Sequence, residues 1–300
     1  MGNILLLGIC FLLGIILRRS SRFPADAPRT LNAFIINISL PALVLFHIHD
    51  LRFDSSVLLV PLMAWIVFGA GALFFLGIGR WLRLPKESIA CLMLVGGLGN
   101  TSFVGLPMIE AFYGHDAIGI GILADQPGSF LALATAGLAV AAHYSSGKGG
   151  GEHLFRRVLR FPPFLAMLLA AALIPFPYPE PARFLLGRLG DTLAPLALVS
   201  VGMQLKVSHL KGSARKLAPG LLFKMVLAPA LILLLYGALL GQQGLAMQVT
   251  VFEAAMPPMI TGGIVAMEHD LDPPLAVLMI GIGIPLAFLL LPLWWIVLGG

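Results

Sequence analysis

Apolar residues run along this chain in long stretches, separated by short breaks rich in basic, polar, Gly or Pro residues. A helix of about 20 apolar residues matches the hydrocarbon core of a bilayer. Ten stretches of spanning or near-spanning length can be drawn, at roughly 3–18, 30–48, 56–79, 88–113, 117–142, 162–176, 182–204, 215–240, 245–267 and 274–298, the sixth being short. The pattern predicts an all-α integral membrane protein with ten transmembrane helices. Composition agrees: 59% of residues are hydrophobic and 11% charged, with mean hydropathy +0.97, whereas soluble domains carry about 25% charged residues.

The N-terminal MGNILLLGICFLLGIILRRSS carries Arg18 and Arg19 after its apolar run. A signal peptide has its positive charges before that run, so this reads as a retained first helix. The net charge of +5 follows topology and does not indicate nucleic acid. Of the 19 Lys and Arg residues, all but Arg52, Arg183, Arg188 and Lys224 fall in the loops after predicted helices 1, 3, 5 and 7. The positive-inside rule places those loops in the cytoplasm and both termini outside, as expected in a bacterial inner (plasma) membrane. The loop EHDLDPP after helix 9 adds no support. Cys10 and Cys91 lie inside apolar runs and read as small packing residues, not as a disulfide or metal framework.

The Gly-rich HYSSGKGGGEH after helix 5 reads as a linker, taken as 143–161, between halves at 1–142 and 162–300. The halves share short matches in common order. SLPALVLFHIHDL (39–51) resembles LAPLALVSVGMQL (193–205). Pro107-Met108-Ile109 recurs as Pro258-Met259-Ile260, and His115-Asp116 as His269-Asp270. Five helices per half turn the second half upside down, giving two inverted five-helix repeats, an arrangement found in secondary transporters.

Helices 4 and 9 carry breakers where lipid is driest. Helix 4 contains GGLGNTSFVGLP, and helix 9 contains Pro257-Pro258 followed by Thr261-Gly262-Gly263. Proline removes a backbone donor and disrupts the preceding turn. Broken helices survive at membrane depth only when buried in protein or lining a wet cavity. A lone kink is commonly only a kink, but paired breaks in corresponding places point to a transport site. Each second half presents a helix N-terminus at mid-membrane, with free N–H groups and roughly +0.5 charge, which suits an anion. Asn100, Thr101, Ser102 and Thr261 add neutral groups able to orient a carboxylate.

Charges inside the spans are few. Asp125 and Glu253 each lie roughly 12 Å from the outer end of a helix rising about 1.5 Å per residue. Intramembrane carboxylates are costly and mark ion or proton pathways. Ser129 lies one turn below Asp125 on the same face, and oxygen-rich clusters of this kind suit a proton or a hard cation. Glu110 is expected to face a wet vestibule. Lys224 is expected to snorkel inward, and His47, His49, His115 and His269 to lie at the interface near helix ends. No phosphate loop, zinc spacing, nucleophile elbow or cofactor motif is present in the sequence, which points away from an enzyme.

GNTSFVGLPMIEAFYG in helix 4 resembles the NTGF-x-G-LP pattern of the auxin efflux carrier family, and AAMPP in helix 9 and the helices of Pro41 and Pro195 also fit. The resemblance covers essentially the whole chain. It implies kinship with bile acid/sodium symporters, a scaffold of helices 1, 2, 6 and 7, and a mobile domain of helices 3–5 and 8–10 in which helices 4 and 9 cross. It implies that Asn100 contacts a substrate carboxylate and that Pro107, Pro257 and Pro258 shape the crossing. It places Glu253 where those symporters ligate sodium, with Asn100 and Ser129 as further matches, although the double proline replaces side chains that would complete a sodium shell. The short linker departs from the plant carriers. The expected function is secondary transport of a small organic anion, auxin-like or malate-like, by an elevator-like or rocking alternating-access cycle coupled to H+ or Na+. A passive uniporter, a channel or a non-transporting sensor remains open. The expected partners are the anion, the lipid bilayer and a second copy paired through the scaffold.

Overall fold

The computed structural model describes residues 2–20, 23–24, 26–49, 59–145, 161–205 and 214–300. Most of the expected linker, 146–160, lies outside these residues, as do Arg22, Arg52, Lys148, Arg156, Arg157, Arg160, Lys206 and Lys211. Among the described residues the regular structure is helical, with no strand. In chain order the helices are α1 (Gly2–Leu17), α2 (Ala27–His49), α3 (Leu62–Trp81), α4 (Lys86–Gly96), α5 (Leu106–Tyr113), α6 (His115–Tyr144), α7 (Pro162–Leu173), α8 (Glu180–Gln204), α9 (Ala214–Leu239), α10 (Gly244–Ala254), α11 (Ile260–Glu268) and α12 (Pro273–Val297). Six of them, α2, α3, α6, α8, α9 and α12, are long and apolar enough to cross a membrane. The apolar helices α1 and α7 are shorter. The other four are the halves of the two stretches marked by breakers: α4 and α5 within 88–113, α10 and α11 within 245–267.

Several long helices contain a wider, π-type turn, which leaves carbonyls without their usual partner. Such turns occur at Ala124–Phe130 in α6, around Pro127, and at Phe223–Leu227 in α9. Side chains supply the missing donors. Trp65 Nε1 donates to the Pro127 carbonyl at 3.1 Å, and Trp294 Nε1 to the Met225 carbonyl at 2.9 Å. In a water-poor surrounding these partners are required, not optional.

The helices pack in two groups. In one, α1 lies along α8, and α7 and α8 flank α2. Short polar contacts join this group: Ser39 Oγ lies 2.7 Å from Thr192 Oγ1, and Ser200 Oγ donates to Asn32 Oδ1 at 2.6 Å. Small hydroxyl residues of this kind are typical of helix contacts in membranes. In the other group, α3 packs on α4, α6 and α9, while α11 and α12 pack on α4. Phe75 and Phe223 fill its interior with ring centroids 5.1 Å apart. The groups meet where α1 and α8 touch α5 and where α2 touches α6.

One loop ties the second group together. Asp272, in a left-handed conformation at φ 48, caps α12 by accepting from Leu275 N at 3.3 Å. Its Oδ2 accepts from Lys216 Nζ of α9 at 2.8 Å and from Ser88 Oγ of α4 at 2.5 Å. Burial pushes this carboxyl pKa up, but the hydrogen bonds from Lys216 and Ser88, the Lys216 charge and the Leu275 N–H outweigh it and hold the pKa below the usual value. A depressed pKa stabilises the fold above the unfolded value, about 3.9, and the contribution disappears as pH falls through the folded value. Asp272→Asn should lower the thermal midpoint at neutral pH by roughly 2–4 °C. It should also flatten the loss of stability on acidification below about pH 4, as read by thermal unfolding in detergent.

Candidate functional site

The two breaks lie against each other. α4 ends at Gly96, and the chain runs extended through Gly99 and Asn100 before turning helical again at Thr101. α10 ends at Ala254, and Met256 to Met259 run without helix before α11. Gly99 pairs antiparallel with Pro258. Asn100 N donates to the Pro257 carbonyl at 2.8 Å, and Met259 N donates to the Leu98 carbonyl at 3.2 Å. Neither proline has an N–H to give, so the pairing uses the carbonyl of Pro257 and the N–H of Met259. Each break thereby satisfies backbone groups that the other leaves open.

Polar side chains gather around this pairing, all buried except the half-buried Ser102. Asp125 Oδ1 accepts from Thr101 Oγ1 and Ser102 Oγ, both at 2.5 Å, and Oδ2 accepts from Gln126 Nε2 at 2.6 Å. Thr101 and Ser102 thus direct their hydroxyl protons to Asp125 in this conformation. Asn100 Oδ1 accepts from Phe103 N at 3.1 Å and caps the turn that leads into α5. Its Nδ2 is buried without a partner, and so are both carboxylate oxygens of Glu253. A cavity of about 10 Å3 is lined by Gly99, Thr101, Ser129, Lys224 and Glu253, together with Met63, Ala64 and Val67 of α3. That is close to the smallest space that holds one water.

The glycines of helix 4 have a local reason. A Cβ at Gly99 would lie 3.1 Å from Lys224 Cε and 3.2 Å from its Nζ. A Cβ at Gly105 would lie 2.6 Å from Oε2 and 2.7 Å from Oε1 of Glu253. Both glycines make room for an ionisable side chain from the other half of the chain.

Most residues singled out from the sequence meet here: Asn100, Thr101, Ser102, Asp125, Ser129, Pro257, Pro258 and Glu253. Pro107 is buried one turn further along and lines a second small cavity with Leu43, Glu110, His115 and Asp191. Glu110 is partly exposed there, 3.7 Å from His115 Nδ1. Thr261, half-buried on the first turn of α11, does not line the central cavity. One expectation is corrected. Lys224 does not snorkel: it is 1% exposed, and its Nζ donates to the Ala254 carbonyl at 2.5 Å. The reason is the end of α10, whose last carbonyls lack helical donors. His47 lies in the last turn of α2, as expected, and is buried, with its ring 4.5 Å from that of His115. Sequence reasoning missed Gln126 and the break at Pro127, although a proline two residues after an intramembrane aspartate was a usable signal. Among the described residues, no group of three or more His, Cys, Asp or Glu side chains is placed to hold a metal ion.

The geometry makes Gly105→Ala costly. The added methyl overlaps the Glu253 carboxylate, so the turn or the glutamate must move. Overpacking of this kind costs about 1–3 kcal/mol, more than the roughly 0.5–1 kcal/mol that Ala gains over Gly in a helix. A lower thermal midpoint is expected, and an unchanged one would show that the carboxylate does not rest on Gly105.

The chain matches the family model described as membrane transport protein over residues 1–146 and 151–295. It is 29% identical to an uncharacterized transporter of Methanothermobacter thermautotrophicus, over 97% of this chain and 95% of the relative. It is 26% identical to an uncharacterized transporter of Methanocaldococcus jannaschii, over 99% of each. It is 23% identical to the uncharacterized transporter YfdV of Escherichia coli, over 90% of this chain and 88% of that protein. Relatives of nearly equal length, all named transporters, accompany a family match across almost the whole sequence. The chain is an integral membrane protein of the membrane transport protein family, the auxin efflux carrier family that its helix 4 motif resembles.

Proposed function

We propose that this protein is a secondary carrier for a small organic anion, a carboxylate, which binds at the paired breaks. The observation that carries the reading is the Asn100 amide. Its Nδ2 is a buried donor with no acceptor, beside the N-terminal end of the 101–113 helical segment and the start of α11. A buried unpaired donor costs about 1–3 kcal/mol, and an arriving carboxylate oxygen would remove that cost. Two helix N-termini add positive partial charge at the same place. Thr101 and Ser102 hold Asp125, so direct contact with the anion falls first to Asn100. In this reading the chain has ten spans in two inverted halves, with both termini outside a bacterial inner membrane. Uphill movement is coupled to H+ or Na+ at Glu253 and Asp125.

Transport assays in proteoliposomes with candidate carboxylates test this. Asn100→Ala should weaken anion affinity about tenfold, the equivalent of one lost hydrogen bond to a charged group, while size-exclusion behaviour stays native. Glu253→Gln and Asp125→Asn should abolish ion-driven accumulation and leave exchange. Unchanged affinity in Asn100→Ala removes it from the site. Full uphill transport in both carboxylate variants makes those groups structural. Anion that equilibrates without ever accumulating identifies a passive uniporter.

The same reading makes α1, α2, α7 and α8 the scaffold, against which the remaining helices move. The separate packing of the two groups and their polar internal contacts support it. Leu43 and Ile118 line one cavity at their boundary. Cysteines placed at these two positions, in a protein lacking Cys10 and Cys91, should crosslink to different extents with and without the anion. Equal crosslinking during measured transport argues against the motion.

A further inference from the structure

Asp125, Lys224 and Glu253 are enclosed at the crossing, each 1% exposed or less. Their surroundings differ. Asp125 is held by three donors, whereas neither oxygen of Glu253 has a partner. Lys224 shares the cavity of about 10 Å3 with Glu253, and its ammonium donates to the Ala254 carbonyl. A buried carboxylate without donors requires a positive charge nearby, and a buried ammonium requires a negative one. The shared cavity places each side chain where it can compensate the other, with no hydrogen bond between them. The fit is specific: Gly99 and Gly105, whose Cβ atoms would meet Lys224 and Glu253, give both side chains their room.

The resemblance to sodium symporters raises the question of whether this cavity takes a sodium ion. Among the residues that line it, Glu253 carries a carboxylate and Thr101 and Ser129 carry hydroxyls. That donor set suits a small hard cation. The residues present nevertheless do not fit one, because a lysine side chain lines the same cavity and the remaining space is about that of one water. A second monovalent cation there would meet the ammonium at close range in a poorly screening interior, where like charges repel strongly.

We propose that the Lys224 ammonium is the resident cation of this cavity, standing beside Glu253 in the place of a sodium ion, and that Lys224 is the residue that excludes sodium from the site. The proposal rests on the carrier reading for the use of the cavity and narrows the coupling ion at Glu253 from H+ or Na+ to H+, but sodium occupancy is measured without any transport. Removing the charge should turn the cavity into a sodium site, because the oxygen-bearing residues remain.

The test is thermal unfolding of the purified full-length protein in NaCl, KCl and choline chloride at equal ionic strength. The wild type should unfold at the same temperature in all three. Lys224→Gln, which is one atom shorter, carries no charge and offers an amide oxygen, should gain a sodium-specific rise of roughly 2–4 °C. Lys224→Ser, which opens more space, serves as the second variant. Adding Glu253→Gln to either should abolish the rise, and Lys224→Arg should stay indifferent to sodium. Sodium-specific stabilisation of the wild type overturns the proposal, and that arm needs no variant to fold. Absence of a sodium response in both neutral variants, when they elute and fluoresce as folded protein, overturns it as well. Failure of the wild type to move any carboxylate in proteoliposomes would instead count against the carrier reading and leave the sodium result standing.

Discussion

The centre of this fold depends on one backbone arrangement: two interrupted helical stretches cover each other's open peptide groups. A helix broken at membrane depth exposes donors and acceptors that lipid cannot satisfy. Here Asn100 N reaches the Pro257 carbonyl, and Met259 N reaches the Leu98 carbonyl. The prolines fix which groups are left to pair, since neither Pro257 nor Pro258 donates. Neither break is sustainable alone, so segments more than 150 residues apart are held in register at this point.

That pairing sets what can be placed around it. Bringing the two breaks together delivers Glu253, one turn before the second, onto Gly105, just after the first. It brings Lys224 from α9 onto Gly99 and the end of α10. Asp125 arrives from α6, beside Pro127, and is held by the Thr101 and Ser102 hydroxyls at the start of the turn into α5. A charged cluster assembled this way is costly to bury and costly to break, because removing one member leaves another uncompensated.

Much of this architecture was legible in the sequence. Apolar runs of bilayer length gave a helical membrane protein, because helix length and hydrocarbon thickness are locked by geometry. The breakers at Gly96, Gly97 and Gly99, and at Pro257 and Pro258, marked both interruptions, because backbone chemistry there is local. Asp125 and Glu253 stood out because carboxylates are rare in apolar runs.

Side-chain partnership was not legible. Lys224 looked like a residue reaching for water, because a four-carbon stem inside an apolar helix can carry its ammonium to the interface. Only the tertiary structure showed the open Ala254 carbonyl that draws it inward. Thr101 and Ser102 looked free for a ligand until Asp125 was placed within 2.5 Å of both hydroxyls. Gly99 and Gly105 read as helix breakers, yet each also clears space for an ionisable group far away in the chain. The sequence alone determined where the helices run and where they fail, because both follow from neighbouring residues. Which buried charge faces which was decided by the tertiary structure, because that depends on how segments from the two halves meet.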